Sequence, residues 1–267
     1  MKNFYQNKVV WVTGASSGIG ESIVKELSNQ GAKLVLSARR KEELIRVQKE
    51  NLLTDENSLI MILDLEDYSK IKNLPKLVIK KFGTIDVVIN NGGISQRSYA
   101  HDTSLNTYEK LMKVNFFGNI ALTLAVLPYL QKQRKGWISS ISSLAGKMGV
   151  PLRTGYSATK FALTGFYEAL RAENDKNGIK ICLVYPGFIR TNISKNALLG
   201  DGNRQNKLDP AIQNGIDSRE CARKILKAIA NEKQELIIAG SREKLGLSFN
   251  KFFPRLFTKI LSKVSVT

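Results

Sequence analysis

Short apolar runs recur along the chain, separated by longer stretches in which apolar residues return every three or four positions. The runs are VVWVT (9–13), LVLSA (34–38), LIMILD (59–64), IDVVIN (85–90), WISSIS (137–142), IKICLVY (179–185) and ELIIAG (235–240). Their length and β-branched content predict strands. Between them, Ile19, Ile23 and Leu27 fall four apart and a long apolar stripe runs from Leu105 to Gln133, which predicts helices. Strands apolar on both faces and joined by helices predict an α/β fold, a doubly wound parallel sheet of about seven strands with helices on both sides. One stretch breaks the alternation. From about Asn192 to Asp217 the chain is rich in Asn, Gly and Asp and follows the sixth run, where such a sheet presents its ligands, so this loop is placed to cover a substrate.

With 267 residues, 43% of them hydrophobic, the chain suffices for one substantial core. We read residues 1–240 as one nucleotide-binding and catalytic domain of Rossmann type and residues 241–267 as a basic extension. The formal net charge of +18 favours acidic partners in general. Much of it reads as lysine on solvated helix faces, as from Lys70 to Lys81, and no aromatic platform or recognition helix points to nucleic acid. Cys182, in a strand-like run, and Cys221, in a helix-like one, read as unpaired thiols of a reducing compartment. The N-terminal MKNFYQNKVVWVTGA shows no signal-peptide core or cleavage site, and no apolar run reaches the roughly 20 residues of a membrane span. The expected location is the cytoplasm.

Chemistry enters at TGASSGIG, Thr13 to Gly20, between the first strand and the first helix. Gly14 permits a tight turn, Gly18 and Gly20 permit close backbone approach, and the helix N-terminus offers free N–H groups to a pyrophosphate. Thr13, Gly14, Ser16, Ser17, Gly18, Ile19 and Gly20 are the candidate phosphate cradle. In LVLSARRKEE, Ala38 stands where an NAD site would carry an acid, and Arg39 follows. A guanidinium suits a 2′-phosphate, which favours NADP(H) over NAD(H); the alternative for Arg39 and Arg40 is a solvated helix start.

GYSATKFAL sets Tyr156 four positions before Lys160, on one helical face. A phenol of pKa near ~10 is a poor proton acceptor at neutral pH unless its anion is stabilised. Tyr68 and Lys72 repeat the spacing but follow DLED in a charged segment, and they read as a surface pair. His101, in SYAHDTS, reads as a solvated loop residue, and no cluster has metal-ligand spacing.

Taken in order, TGASSGIG, Asp64–Leu65, NNGG (Asn90 to Gly93), Asn115 in VNFFG, Ser143, YSATK, and PGFIRT from Pro186 to Thr191 resemble the single-domain short-chain dehydrogenase/reductase family. The stretch SSLAGKMGVPLRTGYSATKFAL is similar to the branch of hydroxysteroid dehydrogenases and carbonyl reductases. NNGG departs from the usual NNAG at Gly92. The resemblance implies a catalytic set of Asn115, Ser143, Tyr156 and Lys160, with Lys160 and the oxidised nicotinamide favouring the phenolate, Ser143 on the substrate oxygen and Asn115 holding a water. It further implies that Asp64 and Leu65 meet the adenine, that Asn90 lies by the adenosine ribose, and that Pro186, Gly187, Ile189 and Thr191, with Tyr156 and Lys160, hold the nicotinamide side. Alternatives stand beside these: Asp64 as a strand end, Thr191 as a helix cap. Ser142 is the rival of Ser143; the thirteen-residue offset from Tyr156 matches the family at 143. The implied activity is NADP(H)-dependent hydride exchange on a carbonyl or alcohol of a small lipophilic substrate, in a homodimer or homotetramer assembled through the helices from about Leu105 and Tyr156. A non-catalytic NADP(H)-binding sensor or membrane-associated module is the alternative.

Past Gly240, Phe249, Phe252, Phe253, Leu256, Phe257, Ile260, Leu261 and Val264 form an apolar stripe, and Lys251, Arg255, Lys259 and Lys263 a basic row. The pattern predicts an amphipathic helix starting at Pro254, over residues 249–264 in all. It would pack on its own domain or another subunit, lie on an anionic membrane, or bind another protein.

Overall fold

Seven parallel strands form one sheet in the computed structural model, which describes residues 4–263. They are β1 (Val9–Thr13), β2 (Lys33–Ala38), β3 (Ser58–Ile62), β4 (Val87–Asn90), β5 (Gly136–Ile141), β6 (Ile179–Pro186) and β7 (Glu235–Ile238), in the order β3-β2-β1-β4-β5-β6-β7. The central pairs are in register, with Trp11 beside both Val35 and Val88. The order reverses between β1 and β4, and at that switch point the C-terminal strand ends open a crevice.

The helices among the described residues are α1 (Gly18–Ser28), α2 (Lys41–Glu50), α3 (Leu74–Phe82), α4 (Leu105–Met112), α5 (Gly118–Gln133), α6 (Thr154–Glu173), α7 (Pro210–Gln213), α8 (Ser218–Ala230), α9 (Ser241–Phe252) and α10 (Pro254–Leu261). On one face α1, α2 and α8 cover Val10, Val12, Leu34, Leu36, Val87 and Ile89. On the other, α3, α5 and α6 cover Val9, Trp11, Val35, Val88 and Ile138. Alternate residues of one strand therefore enter different cores, which is why the runs are apolar throughout. Each fully buried Val, Leu or Ile contributes about 1.5–3 kcal/mol. The buried Trp11 indole donates to Ser37 Oγ at 2.8 Å.

The stripe from Leu105 to Gln133 is helical throughout but not uniform: α4 and α5 are joined by a π-helical turn, Lys113–Phe117. By length and average apolarity this helix is enough to cross a membrane, although no single run in the sequence is. It is a core helix here, with Leu111 buried and Val114, Leu122, Val126 and Leu130 packed in the sheet-covering layer. The segment expected as irregular, Asn192 to Asp217, contains α7 and is stitched down by bridges Gln96–Leu198 and Leu198–Arg204. The tail differs more. A helix, α9, precedes the expected one, and α10 starts at Pro254 with Phe253 between them. Val264, the last member of the apolar stripe, lies outside the described residues.

Candidate active site

Two adjoining clefts open where β1, β4, β5 and β6 end. The first, about 570 Å³, is bordered by the loop from Thr13 to Ile19. Gly14 and Gly18 have φ of 64° and 60°, in the left-handed region. A Cβ on Gly20 would lie 2.2 Å from the Gly14 carbonyl oxygen, so only glycine lets α1 begin this close to β1. Thr13 Oγ1 accepts from the N–H groups of Asn91 (3.0 Å) and Gly92 (2.9 Å), tying β1 to β4 beneath the loop. Ser17, at the N-cap, makes no side-chain bond to α1, and the first-turn N–H groups have no partner within the helix. Arg39, Asp64, Leu65 and Thr191 line the same cleft. So does Arg40, exposed at the N-cap of α2 as the solvated reading has it, with its guanidinium donating to Ser16 Oγ at 3.4 Å. A glycine-lined helix start, two arginines and a long cleft fit a phosphate-bearing dinucleotide.

Asn90 departs from expectation. Its side chain is buried and turns away from the cleft, donating to Thr123 Oγ1 (2.9 Å) and to the Tyr167 hydroxyl (3.0 Å). Asn91, Gly92 and Gly93 line the cleft instead. In a parallel strand successive side chains face opposite layers, and the strand's last residue faces the α5–α6 side.

The second cleft, about 610 Å³, is mostly apolar, with Leu144, Met148, Val150 and Phe188 among its walls. Ser143, Tyr156 and Lys160 border it together, as do Pro186, Gly187 and Ile189. Ser143 follows β5; its hydroxyl accepts from Ala145 N–H at 3.2 Å, donates to the Pro186 carbonyl at 3.5 Å and stands near enough to the Tyr156 phenol to favour its anion. Ser142 also borders this cleft, but its hydroxyl is occupied by the Lys160 carbonyl at 3.1 Å. Tyr156 opens α6, whose first turn has no side-chain cap from its own N-cap residue. The buried Gln96 supplies it: Oε1 accepts from Gly155 N–H (2.8 Å) and Tyr156 N–H (3.2 Å).

One helical turn on, Lys160 Nζ stands 5.5 Å from the Tyr156 ring centre and donates to the Ile141 carbonyl at 2.8 Å. Burial pushes its pKa down to about 8, so the ammonium is still largely charged at neutral pH. Burial likewise holds the Tyr156 phenol above its ordinary value. The groups that pull it back are Ser143 first, then the guanidiniums of Arg97 and Arg153. Arg97 and Arg153, two cations that the sequence pattern did not single out, thus join Lys160 around the phenol.

Arg97 and Arg153 border the second cleft and are nine-tenths or more buried. Asp209 Oδ2 accepts from Arg97 Nε at 2.8 Å and lies 3.4 Å from Arg153 Nη2. Burial and the neighbouring Arg97 push the Arg153 pKa down to about 10. This cluster pins the Asn192–Asp217 segment over the cleft. Sequence spacing could not reveal it, because its members lie 56 and 112 positions apart.

Asn115 lies in the π-helical turn, fully buried. Its amide grips Ile94, accepting from the N–H at 2.8 Å and donating to the carbonyl at 2.9 Å, and also donates to Thr159 Oγ1 at 3.1 Å. A Cβ on Gly93 would lie 3.0 Å from Asn115 Oδ1 and 3.8 Å from Lys160 Nζ, so Gly93 leaves open the space between them. Tyr68 and Lys72 border neither cleft and sit on a short 3₁₀ turn, with Tyr68 against Phe117. His101 is exposed beside Asp102.

The sequence pattern of the short chain dehydrogenases matches residues 8–201. The chain belongs to the short-chain dehydrogenase/reductase family. It is similar to "Dehydrogenase/reductase SDR family protein 7-like" of Anopheles gambiae, with 40% identity over 261 residues, 96% of this chain and 82% of that relative. "Dehydrogenase/reductase SDR family member 7" of Homo sapiens is 41% identical over 236 residues, covering 86% and 70% respectively. Among solved structures, a short-chain dehydrogenase from Streptomyces avermitilis has a TM-score of 0.80 at 28% identity, covering 97% of both chains. One from Burkholderia phymatum, in complex with NAD, reaches 0.83 at 20% identity over 94% of this chain and 95% of its own, a likeness of fold. Family membership makes the protein an oxidoreductase that binds a nicotinamide dinucleotide and acts on a small molecule.

Proposed function

We propose that the protein is an NADP(H)-dependent reductase or dehydrogenase of the carbonyl reductase type, acting on a carbonyl or secondary alcohol of a small lipophilic substrate. The observation that carries the reading is a phenol, Tyr156, beside Ser143 and one turn from Lys160, at the wall of an apolar cleft that adjoins a glycine-lined one. When bound, the dinucleotide supplies the hydride in reduction and takes it up in oxidation. Tyr156 then gives its proton to the substrate oxygen in one direction and accepts it in the other. Ser143 donates a hydrogen bond to that oxygen and stabilises its developing charge. Arg97 and Arg153 favour the phenolate electrostatically, and Lys160, beside the gap left by Gly93 next to Asn115, resupplies the proton.

NADP(H) is favoured by Arg39 and Arg40 in the first cleft and by Ala38 in place of an acid. Leu144, Met148, Val150 and Phe188 favour a lipophilic substrate. We place the protein in the cytoplasm as a homo-oligomer. The test is oxidation of NADPH and, in parallel, NADH across aldehydes, ketones, quinones and keto-steroids. Tyr156→Phe should lower turnover of any active substrate by about 10²-fold or more while retaining NADPH binding by fluorescence. Undiminished turnover rejects the mechanism, and a preference for NADH rejects the cofactor assignment.

A further inference from the structure

Helices α9 and α10 have two unlike faces. The inner face belongs to the second cleft: Gly246, Phe257 and Leu261 line it, and a Cβ on Gly246 would lie 3.6 Å from the Phe257 ring. The Phe249 ring bridges the two helices, 5.3 Å from Phe253 and 6.5 Å from Phe257. On the outer face Leu245, Phe252, Phe253 and Leu256 are between 51% and 70% exposed, while Ile260, 46% exposed, lines the cleft with Phe257 and Leu261. Scattered exposed apolar residues are ordinary; four large ones outside the cleft on a single helix pair are not.

Charge chooses the occupant. From 241 to 263 the cations are Arg242, Lys244, Lys251, Arg255, Lys259 and Lys263, and the one acid is Glu243. That carboxylate is turned inward, accepting from Gly240 N–H at 2.7 Å and from Phe188 N–H at 2.9 Å, so it does not neutralise the outer rim. A second copy meeting this face by two-fold symmetry would set cation against cation. An anionic lipid surface meets both halves of the pattern. Phenylalanines enter the acyl boundary, and each Lys or Arg near the headgroups adds about 1 kcal/mol.

We propose that the outer face of the α9–α10 pair docks the protein on an anionic phospholipid surface, with the apolar cleft opening beside that surface. Docking stands on the exposed face alone. The role of the cleft as the entry for a lipid-dissolved substrate rests on the functional reading above. A substrate held in the bilayer would then reach Phe257 and Leu261 without crossing bulk water.

The test is co-sedimentation of the full chain with phosphatidylcholine vesicles, with and without phosphatidylserine, at low and high salt. Phe252 and Leu256 are exposed and do not line the cleft, so a Phe252→Glu/Leu256→Glu variant should keep the parent melting temperature and its turnover of a water-soluble carbonyl. The expected result is binding of the parent to the serine-containing vesicles, weakened by salt, and a loss of about tenfold or more in the variant. Equal sedimentation of parent and variant overturns the proposal. So does absence of lipid binding together with a fall in the parent's mass on making the variant, which would assign the face to a second copy. Lipid binding with no turnover of any carbonyl would uphold docking and defeat the functional reading alone.

Discussion

Lys160 is a cation held almost entirely inside the protein, and its environment gives it a measurable signature. Its folded pKa is near 8, below the ordinary lysine value. The unfolded chain therefore binds the proton more tightly than the folded one between about pH 8 and the ordinary lysine pKa, and the folded state gains stability as pH rises through that window. The gain is on the order of 3 kcal/mol. Denaturant unfolding of the parent and of Lys160→Met at pH 7.5 and pH 10 isolates it: the variant should lack this increment, and an identical pH response in both would show that the ammonium is not desolvated. Of the residues around this lysine, Ser143 and Tyr156 were legible because each lies at a fixed offset in one local stretch. Arg97, Asp209, Arg153 and the capping Gln96 were not, because they meet only through tertiary contacts and no short-range pattern links them. Asn90 was misassigned for a related reason: two adjacent asparagines differ only in the face toward which they point, and a one-residue step reverses it.

At the scale of elements, the strands were legible because both faces of each are buried and the apolar run marks the strand directly. The π-helical turn at Asn115 was not, since it preserves the surrounding apolar stripe while inserting one extra residue per turn. Helix α9 was missed because its apolar residues are sparse and Pro254 is a strong start signal that drew the boundary past it. What fixes α9 is Glu243, in its first turn, where a carboxylate favours the helix dipole and takes two backbone hydrogen bonds. The fit is close: a Cβ on Gly187 would come 2.1 Å from Glu243 Oε1. Glu243→Ala should reduce stability by about 1–3 kcal/mol. It should also raise KM for the carbonyl more than KM for the dinucleotide, with Glu243→Gln restoring much of both. Thermal melts with steady-state kinetics measure this, and equal effects on the two KM values would show that the contact merely stabilises the fold.

For the molecule as a whole, the sheet and its two helical layers account for nearly all the buried apolar surface, yet α5, α6 and the turn before α5 leave Phe117, Leu124 and Phe161 at 40–50% exposure. These lie on the helices expected to pair between subunits. Phe161→Glu should convert a dimer or tetramer to a smaller species in light scattering coupled to size exclusion; an unchanged mass would place the subunit contact elsewhere. Charge at this scale is uneven as well as large, since residues 241–263 add six cations against one inward-turned acid.

Ile19, Asn91, Gly93, Thr191 and Ile193 border both clefts. The two chambers therefore share part of one wall, and whatever shifts it on one side alters the shape on the other. Thermodynamic reciprocity then requires that a molecule settling in either chamber changes the other's affinity for its own guest by an identical factor.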